Sequence, residues 1–295
     1  MRITQKAVAL TSLQGLNRNL DTLGKLQNQL TSGRVINAPS DSPAGTNRAM
    51  QTRSEQAAVA QQARNIGDAK SWLEQADSTL REMLDTTRRV RDLTVQGLNT
   101  GAVSDASQQA LATEVAALRD GLLSLANTAV QGRPIFGGLT PDAKAYNDDG
   151  TWAGLAGPAI TFRLSESEKV RVDLTGPEAF GPDGANLFDV VGRIATNLTS
   201  PTASVTLATD LADLDTAIKR MSTSVADVGS RAARVDRAER LNFDRSVTLT
   251  SRLAETENVD LPNTIMKLQM QQVGYEAALA ATAKAISPTL LDYLR

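Results

Sequence analysis

The sequence predicts a mainly α protein: an elongated bundle of long coiled-coil-like helices, with paired N- and C-terminal helices and a small inserted β domain. Three observations carry this. Apolar residues recur at alternating steps of three and four over several separate stretches, the pattern of helices packed along a seam. The most specific of these runs through Leu207, Leu211, Leu214, Ile218, Met221, Val225, Val228, Ala232 and Val235 without a polar break. Aromatic residues make up only 3% of the 295, so the core has to be packed from aliphatic and small side chains. Between Thr140 and Gly184, by contrast, the apolar period falls to two and glycine and proline thicken.

Each element follows in order. From Arg2 to Leu30, Leu13, Leu16, Leu20, Leu23 and Leu30 fall on a heptad seam with Gln27 in the remaining position. Leu10 and Leu26 widen that stripe beyond what one neighbour covers. Gly33 stops the helix, and Asn37-Ala38-Pro39-Ser40-Asp41-Ser42-Pro43 forms a joint, since each proline biases the preceding residue away from helix. Helix resumes at Ala44, carries Ile66, Ala69, Leu73, Ala76, Leu80, Met83, Thr87 and Val90 in the same alternation, and stops around Gly97 to Gly101. A third helix starts at Ser104-Asp105, an N-cap followed by a first-turn acid. It places Leu111, Val115, Leu118, Leu122 and Leu125 on its seam and ends at Gly132.

In the insertion, Ile160, Phe162 and Leu164 alternate with polar neighbours, Ser165 to Glu168 turns, and Val170, Val172 and Leu174 alternate again, which reads as a hairpin. A segment of about 45 residues is near the lower limit for an independent core, so the helices must brace it. Helix returns at Leu187 to Leu198, then from Leu207 to Glu257, a span of about 75 Å at the α-helical rise. After Val259-Asp260-Leu261-Pro262 a last helix sets Leu261, Ile265, Leu268, Gln272, Tyr275, Leu279 and Ile286 on a second seam that mirrors the first. The expected organisation is a terminal helical domain (1–38 and 258–295), a long-helix bundle (39–139 and 186–257) and a small β-rich outer domain (140–185).

Composition narrows the chemistry. Without cysteine or histidine the chain cannot build a disulfide, a thiolate zinc site, a thiol nucleophile or a Ser-His-Asp triad. A formal charge of -2 provides no basic field for nucleic acid. Met1-Arg2-Ile3-Thr4-Gln5-Lys6 is broken by polar residues at once, which argues against a cleavable Sec-type leader. The apolar run Ala277-Ala278-Leu279-Ala280-Ala281 is far shorter than a membrane span.

Local clusters have structural readings. Asn147-Asp148-Asp149-Gly150 lacks the ligand spacing and closing glutamate of a calcium loop and reads as a turn. Arg231, Arg234, Arg237 and Arg240 read as a solvated face paired with Asp236, Glu239 and Asp244 rather than as an anion site. Arg88, Arg89 and Arg91, near Asp85 and Asp92, read as surface. No Ser-x-x-Lys lies in a pocket context, and Gly176 to Gly184 lacks both phosphate-loop spacings and reads as loop. No catalytic, cofactor-binding or metal-binding residue is therefore assigned. The two terminal seams could pack only on each other as an intramolecular hairpin. Against this, their apolar faces are wider than a two-helix contact uses, and two helices make a thin core. Assembly would complete them, which makes Leu13, Leu16, Leu20, Leu23, Leu30, Ile265, Leu268, Tyr275, Leu279, Ile286 and, beyond them, Tyr293 the candidate assembly residues.

Ser32-Gly33-Arg34-Val35-Ile36-Asn37 followed by Pro39-Ser40-Asp41-Ser42-Pro43-Ala44-Gly45 resembles the N-terminal joint of the flagellin superfamily, and its proline-bearing form resembles the hook-associated branch. Leu118-Arg119-Asp120 to Leu125-Ala126-Asn127, then Ile135-Phe136-Gly137-Gly138, resemble that family's inner-helix end and its exit into the variable domain. Leu268-Gln269-Met270-Gln271-Gln272 and Leu290-Leu291-Asp292-Tyr293-Leu294 are similar to the same branch, with Tyr293 the most discriminating residue. Thr175-Gly176 to Phe180 resembles the family more loosely, and Ser42 stands where many members carry a second Asp.

The resemblance implies an extracellular subunit of the bacterial flagellum whose terminal helices polymerise into an inner tube. It implies an adaptor at the hook-filament junction that forms a ring with copies of itself and joins hook-associated protein 1 to flagellin. Export through the flagellar type III apparatus with an export chaperone comes with it, and no nucleic acid, membrane or cofactor is expected. Two other readings stand beside it: a filament-forming flagellin, and an enzyme using carboxylates in the β insertion. The enzyme is disfavoured because so small a module leaves little room for a pocket beside its own core.

Overall fold

The computed structural model describes residues 5–99, 104–200 and 203–286. In chain order they form α1 (Gln5–Ser32), α2 (Pro43–Leu98), α3 (Asp105–Ala126), β1 (Ala129–Val130), β2 (Arg133–Pro134), β3 (Thr161–Arg163), β4 (Lys169–Arg171), α4 (Gly176–Phe180), α5 (Leu187–Asn197), α6 (Ala203–Glu257) and α7 (Leu261–Ile286). The fold is mainly α with a small β region, as the periodicities require. Contacts divide the chain into two compact units, one of residues 1–59 and 245–295 and the other of residues 60–244. Among the described residues no helix is long and apolar enough to cross a membrane.

The unit of residues 60–244 holds the main core. Every member of the α2 stripe from Ile66 to Val90 is buried, including Thr87, whose Oγ1 donates to the Met83 carbonyl at 2.7 Å and so is satisfied within the helix. On α6 the stripe alternates: Leu207, Leu214, Met221, Val228 and Val235 are fully buried, while Leu211, Ile218, Val225 and Ala232 are half-buried. Leu111, Val115 and Leu122 of α3 join the same core, and α3 packs along α5. Ion pairs lace the rims, with Arg91–Asp215 at 2.7 Å, Arg89–Glu114 at 2.8 Å and Lys70–Glu239 at 2.7 Å. Solvent screens such half-exposed pairs, so each adds little to stability.

The β region adds an aromatic layer continuous with the helical core. Phe136 meets Phe180 edge-on at 4.9 Å between ring centres, and Tyr146 meets Phe188 at 4.7 Å. The hairpin read from the sequence is present, with β3 and β4 antiparallel and Phe162 opposite Val170. Asp173, buried, accepts from the Ile160 amide at 2.8 Å and takes the Arg171 guanidinium on both carboxylate oxygens. Asn147 to Gly150 is the expected turn, the Gly150 amide donating to the Asn147 carbonyl at 3.0 Å.

Three expectations are corrected. The third helix ends at Ala126 rather than at Gly132. The Asn127 carboxamide accepts from the Ala145 and Tyr146 amides, each at 2.8 Å, and donates to the Tyr146 carbonyl at 3.0 Å, drawing the chain out of the helix. Gln131 and Gly132, at φ 51 and 79, then supply the paired left-handed residues of the two-residue β1–β2 hairpin turn. Within Gly176 to Gly184 lies the short helix α4, whose first amides are capped where Glu178 accepts from the Thr175 N–H at 3.1 Å. The arginine stripe of α6 is only partly paired along its own helix, through Arg231 with Asp227. Arg231 donates to the Asp173 carbonyl at 2.9 Å and Arg234 pairs with Glu168 at 3.1 Å, so both brace the β3–β4 region, while Asp236 and Glu239 take Lys70.

The Tyr146 hydroxyl is buried without a partner, and burial pushes its pKa well above the ordinary phenol range. It is wedged against Gly176, where a Cβ would stand 2.3 Å from Oη. Tyr146→Phe therefore removes an unsatisfied polar atom and keeps the ring. The expected result is an unchanged or raised melting temperature, with a gain of up to about 1 kcal/mol. A clear drop in thermal unfolding would show that the hydroxyl contributes a bond.

Candidate assembly interface

In the unit of residues 1–59 and 245–295, α1 packs along α7. The joint sets their antiparallel sense. Arg34 and Asn258 form an antiparallel bridge, the Val35 amide donates to the Glu257 carbonyl at 2.7 Å, and the Val259 amide donates to the Gly33 carbonyl at 3.0 Å. Gly33 makes the exit from α1 possible at φ 70. Asp41 closes the turn by accepting from the Ala38 and Asn37 amides at 2.9 and 3.1 Å, and these bonds hold its carboxyl below the usual range. Glu257, buried at the end of α6, takes Arg53 at 2.8 Å and lies 3.9 Å from Arg34. Sequence reasoning missed Glu257 and Arg53. A lone acid at a helix end and an arginine in another helix share no spacing that could have linked them.

The α1–α7 seam has its own register. The covered positions are Ser12, Leu16, Asn19, Leu23, Leu26 and Leu30 on α1, and Thr264, Leu268, Gln271, Tyr275, Ala278 and Thr282 on α7. Both sets step by four and three, but many members are polar or small, and Gln271 donates to Asn19 across the seam at 3.2 Å. Of the candidate assembly residues, Leu16, Leu23, Leu30, Leu268 and Tyr275 lie on this seam. Leu13, Leu20, Ile265 and Leu279 flank it and are exposed. The side chain of Ile286, which closes α7, and the whole of Tyr293 lie outside the described residues.

A further stripe escaped the sequence reading. Met266, Met270, Val273, Ala277 and Ala280 repeat the same four-three step on the side of α7 turned away from the covered positions, and all five are exposed. Its members lie one or two residues beyond those of the seam read from the sequence. With Leu261, Ile265 and Leu279 on its flank, α7 carries a wide exposed apolar face, and among the described residues α1 is the helix packed along it. Two helices joined through so polar a seam gain little to offset the entropy of ordering them. Hydrogen exchange of the monomer is therefore expected to be fast across Leu10 to Leu30 and Ile265 to Lys284 and slow across Ile66 to Val90. Comparable protection in the two regions would show that the terminal pair is an ordinary core.

Among the described residues, the buried carboxylates are engaged in structural bonds. Asp210 pairs with Arg193 at 3.1 Å and accepts from Asn197 at 2.6 Å, as Asp173 pairs with Arg171 and Glu257 with Arg53. What the chain offers is thus an apolar helical surface held by a polar joint.

Comparison with known proteins accords with this layout. The model of the bacterial flagellin N-terminal helical region matches residues 3–140. Flagellar hook-associated protein 3 of Escherichia coli K12 is 26% identical over 95% of this chain and 96% of its own length. Flagellin of Bacillus subtilis strain 168 is 25% identical over 97% of this chain and 96% of its own length. In fold, the chain is similar to the structure of a putative flagellar hook-associated protein from Vibrio parahaemolyticus, with a TM-score of 0.68 at 18% identity over 74% of this chain and 100% of that one. The chain is thus similar to the flagellin N-terminal helical region over residues 3–140. Over nearly its full length it is similar both to flagellar hook-associated protein 3 and to the Bacillus subtilis flagellin.

Proposed function

We propose that this chain is a structural adaptor of the bacterial flagellum, placed at the hook-filament junction between the hook-side junction protein, hook-associated protein 1, and flagellin. The carrying observation is that α7 leaves a wide apolar face exposed, with α1 the helix packed along it among the described residues. Copies of this chain in a ring are the occupants that complete it. The exposed face consists of Leu10, Leu13 and Leu20 on α1 and Leu261, Ile265, Met266, Met270, Val273 and Leu279 on α7. The functional division follows: residues 1–38 and 258–295 polymerise, 39–139 and 186–257 form the supporting bundle, and 140–185 face outward. The role is structural rather than enzymatic, supported by buried carboxylates that are tied to arginines. An extracellular location in the flagellum, reached through the flagellar type III apparatus with an export chaperone, belongs to the same proposal.

The full-length similarity to Bacillus subtilis flagellin keeps a second reading in view, a filament-forming subunit. Purified chain at high concentration, alone and seeded with flagellar fragments, separates the two under the electron microscope. An adaptor is expected to add to hook ends without growing long filaments. Long filaments from the chain alone would establish the flagellin reading.

A further inference from the structure

Three of the chain's six methionines are surface residues of the unit that carries the terminal helices: Met50 is 63% exposed, Met266 62% and Met270 69%. Met83 and Met221, in the main core, are fully enclosed. Methionine suits a face that must accept dissimilar neighbours, because its flexible thioether fills irregular gaps. It is also oxidisable, and this chain has no cysteine to compete for an oxidant. A hydroperoxide transfers one oxygen to the thioether: a sulfur lone pair forms the S–O bond, the O–O bond breaks, and the peroxide leaves as water or an alcohol. The product is a polar sulfoxide. Met266 and Met270 stand one helical turn apart in a stripe completed by Val273, Ala277 and Ala280, so their oxidation places two strong acceptors at its N-terminal end with no donor on that stripe.

Resting on the reading of this face as the assembly surface, we propose that Met266 and Met270 form a reversible oxidation switch on assembly. The thioether form joins the ring and the sulfoxide form does not. A thiol-dependent sulfoxide reductase restores the first, two thiols becoming a disulfide as the oxygen leaves as water. Assembly covers the stripe, so the sensitivity is confined to the unassembled chain.

The test uses the full chain treated with limiting hydrogen peroxide, mapped by peptide mass spectrometry, and then sedimented with isolated hooks that carry the hook-side junction protein. Met50, Met266 and Met270 are expected to convert ahead of Met83 and Met221. Hook binding is expected to fall about tenfold per sulfoxide on the stripe, the cost of burying an unmatched polar group, and to return after reductase treatment. The volume-conserving double variant Met266→Leu with Met270→Leu should keep its binding through the same treatment, and Met270→Gln should lose binding with no oxidant present. The proposal is overturned if wild-type chain oxidised at both positions binds like untreated chain, or if the double leucine variant loses binding in parallel with it. Untreated Leu20→Asp separates the two levels: if it binds hooks normally, the assembly reading fails. If it does not bind while oxidised wild type does, only the switch is lost.

Discussion

Val228→Asp is expected to unfold the unit of residues 60–244, whereas Leu20→Asp and Met270→Asp are expected to leave its melting temperature unchanged and to abolish incorporation into the flagellum. Val228 is fully buried on the α6 seam among aliphatic neighbours, so a carboxylate there has no partner and costs several kcal/mol, a large part of a typical domain's stability of about 5–15 kcal/mol. Leu20 and Met270 are exposed in the single chain, where a polar substitution changes stability by about 0.5 kcal/mol or less. In the proposed ring the same carboxylates would be buried unpaired. At about 1.4 kcal/mol per factor of ten, a penalty of about 3 kcal/mol at each copy lowers association more than a hundredfold. Thermal unfolding of the purified variants, read beside motility of cells carrying them, gives both halves of the comparison. A melting temperature lowered as much by Leu20→Asp as by Val228→Asp would mean that the terminal helices are ordinary core.

Glu257→Lys disables assembly without touching the apolar face. Glu257 is the buried anion that gathers Arg53 and stands close to Arg34, and its backbone carbonyl receives the Val35 amide. A lysine replaces that attraction with three like charges at one joint, and the bridged segments around Arg34 and Asn258 that set the antiparallel sense of α1 and α7 are expected to separate. Because Arg34 and Arg53 are half exposed, solvent screens much of the repulsion. The loss is expected at about 1–3 kcal/mol and local to the joint. Limited proteolysis should open new sites between Gly33 and Ser42, with loss of hook binding and an unchanged melt of the unit of residues 60–244. Glu257→Gln, which still accepts from Arg53, should fall between wild type and the lysine variant. Full hook binding by Glu257→Lys would show that the joint does not govern how the terminal helices are presented.

Much of this protein was legible in its sequence because a helix writes its packing into a fixed period. The stripes Ile66 to Val90 and Leu207 to Val235 were read residue by residue and are the covered stripes of α2 and α6, since burying any other face would leave aliphatic side chains in water. The β3–β4 hairpin was legible for the same reason, with a period of two and a turn between. The joint at Pro39 to Pro43 was legible because proline acts on its own neighbours. What the period could not settle was choice among several apolar faces. On α1 and α7 more than one stripe satisfies the four-three rule. Only the tertiary structure showed that the pair buries the stripe centred on Asn19 and Gln271, where polar groups satisfy each other, and leaves Leu20, Ile265, Met266 and Met270 outside. Nor could the sequence join Glu257 to Arg53, Arg234 to Glu168 or Asn127 to Tyr146. A hydrogen bond or ion pair depends on where two distant segments arrive in space, and carries no period along the chain by which it can be foreseen.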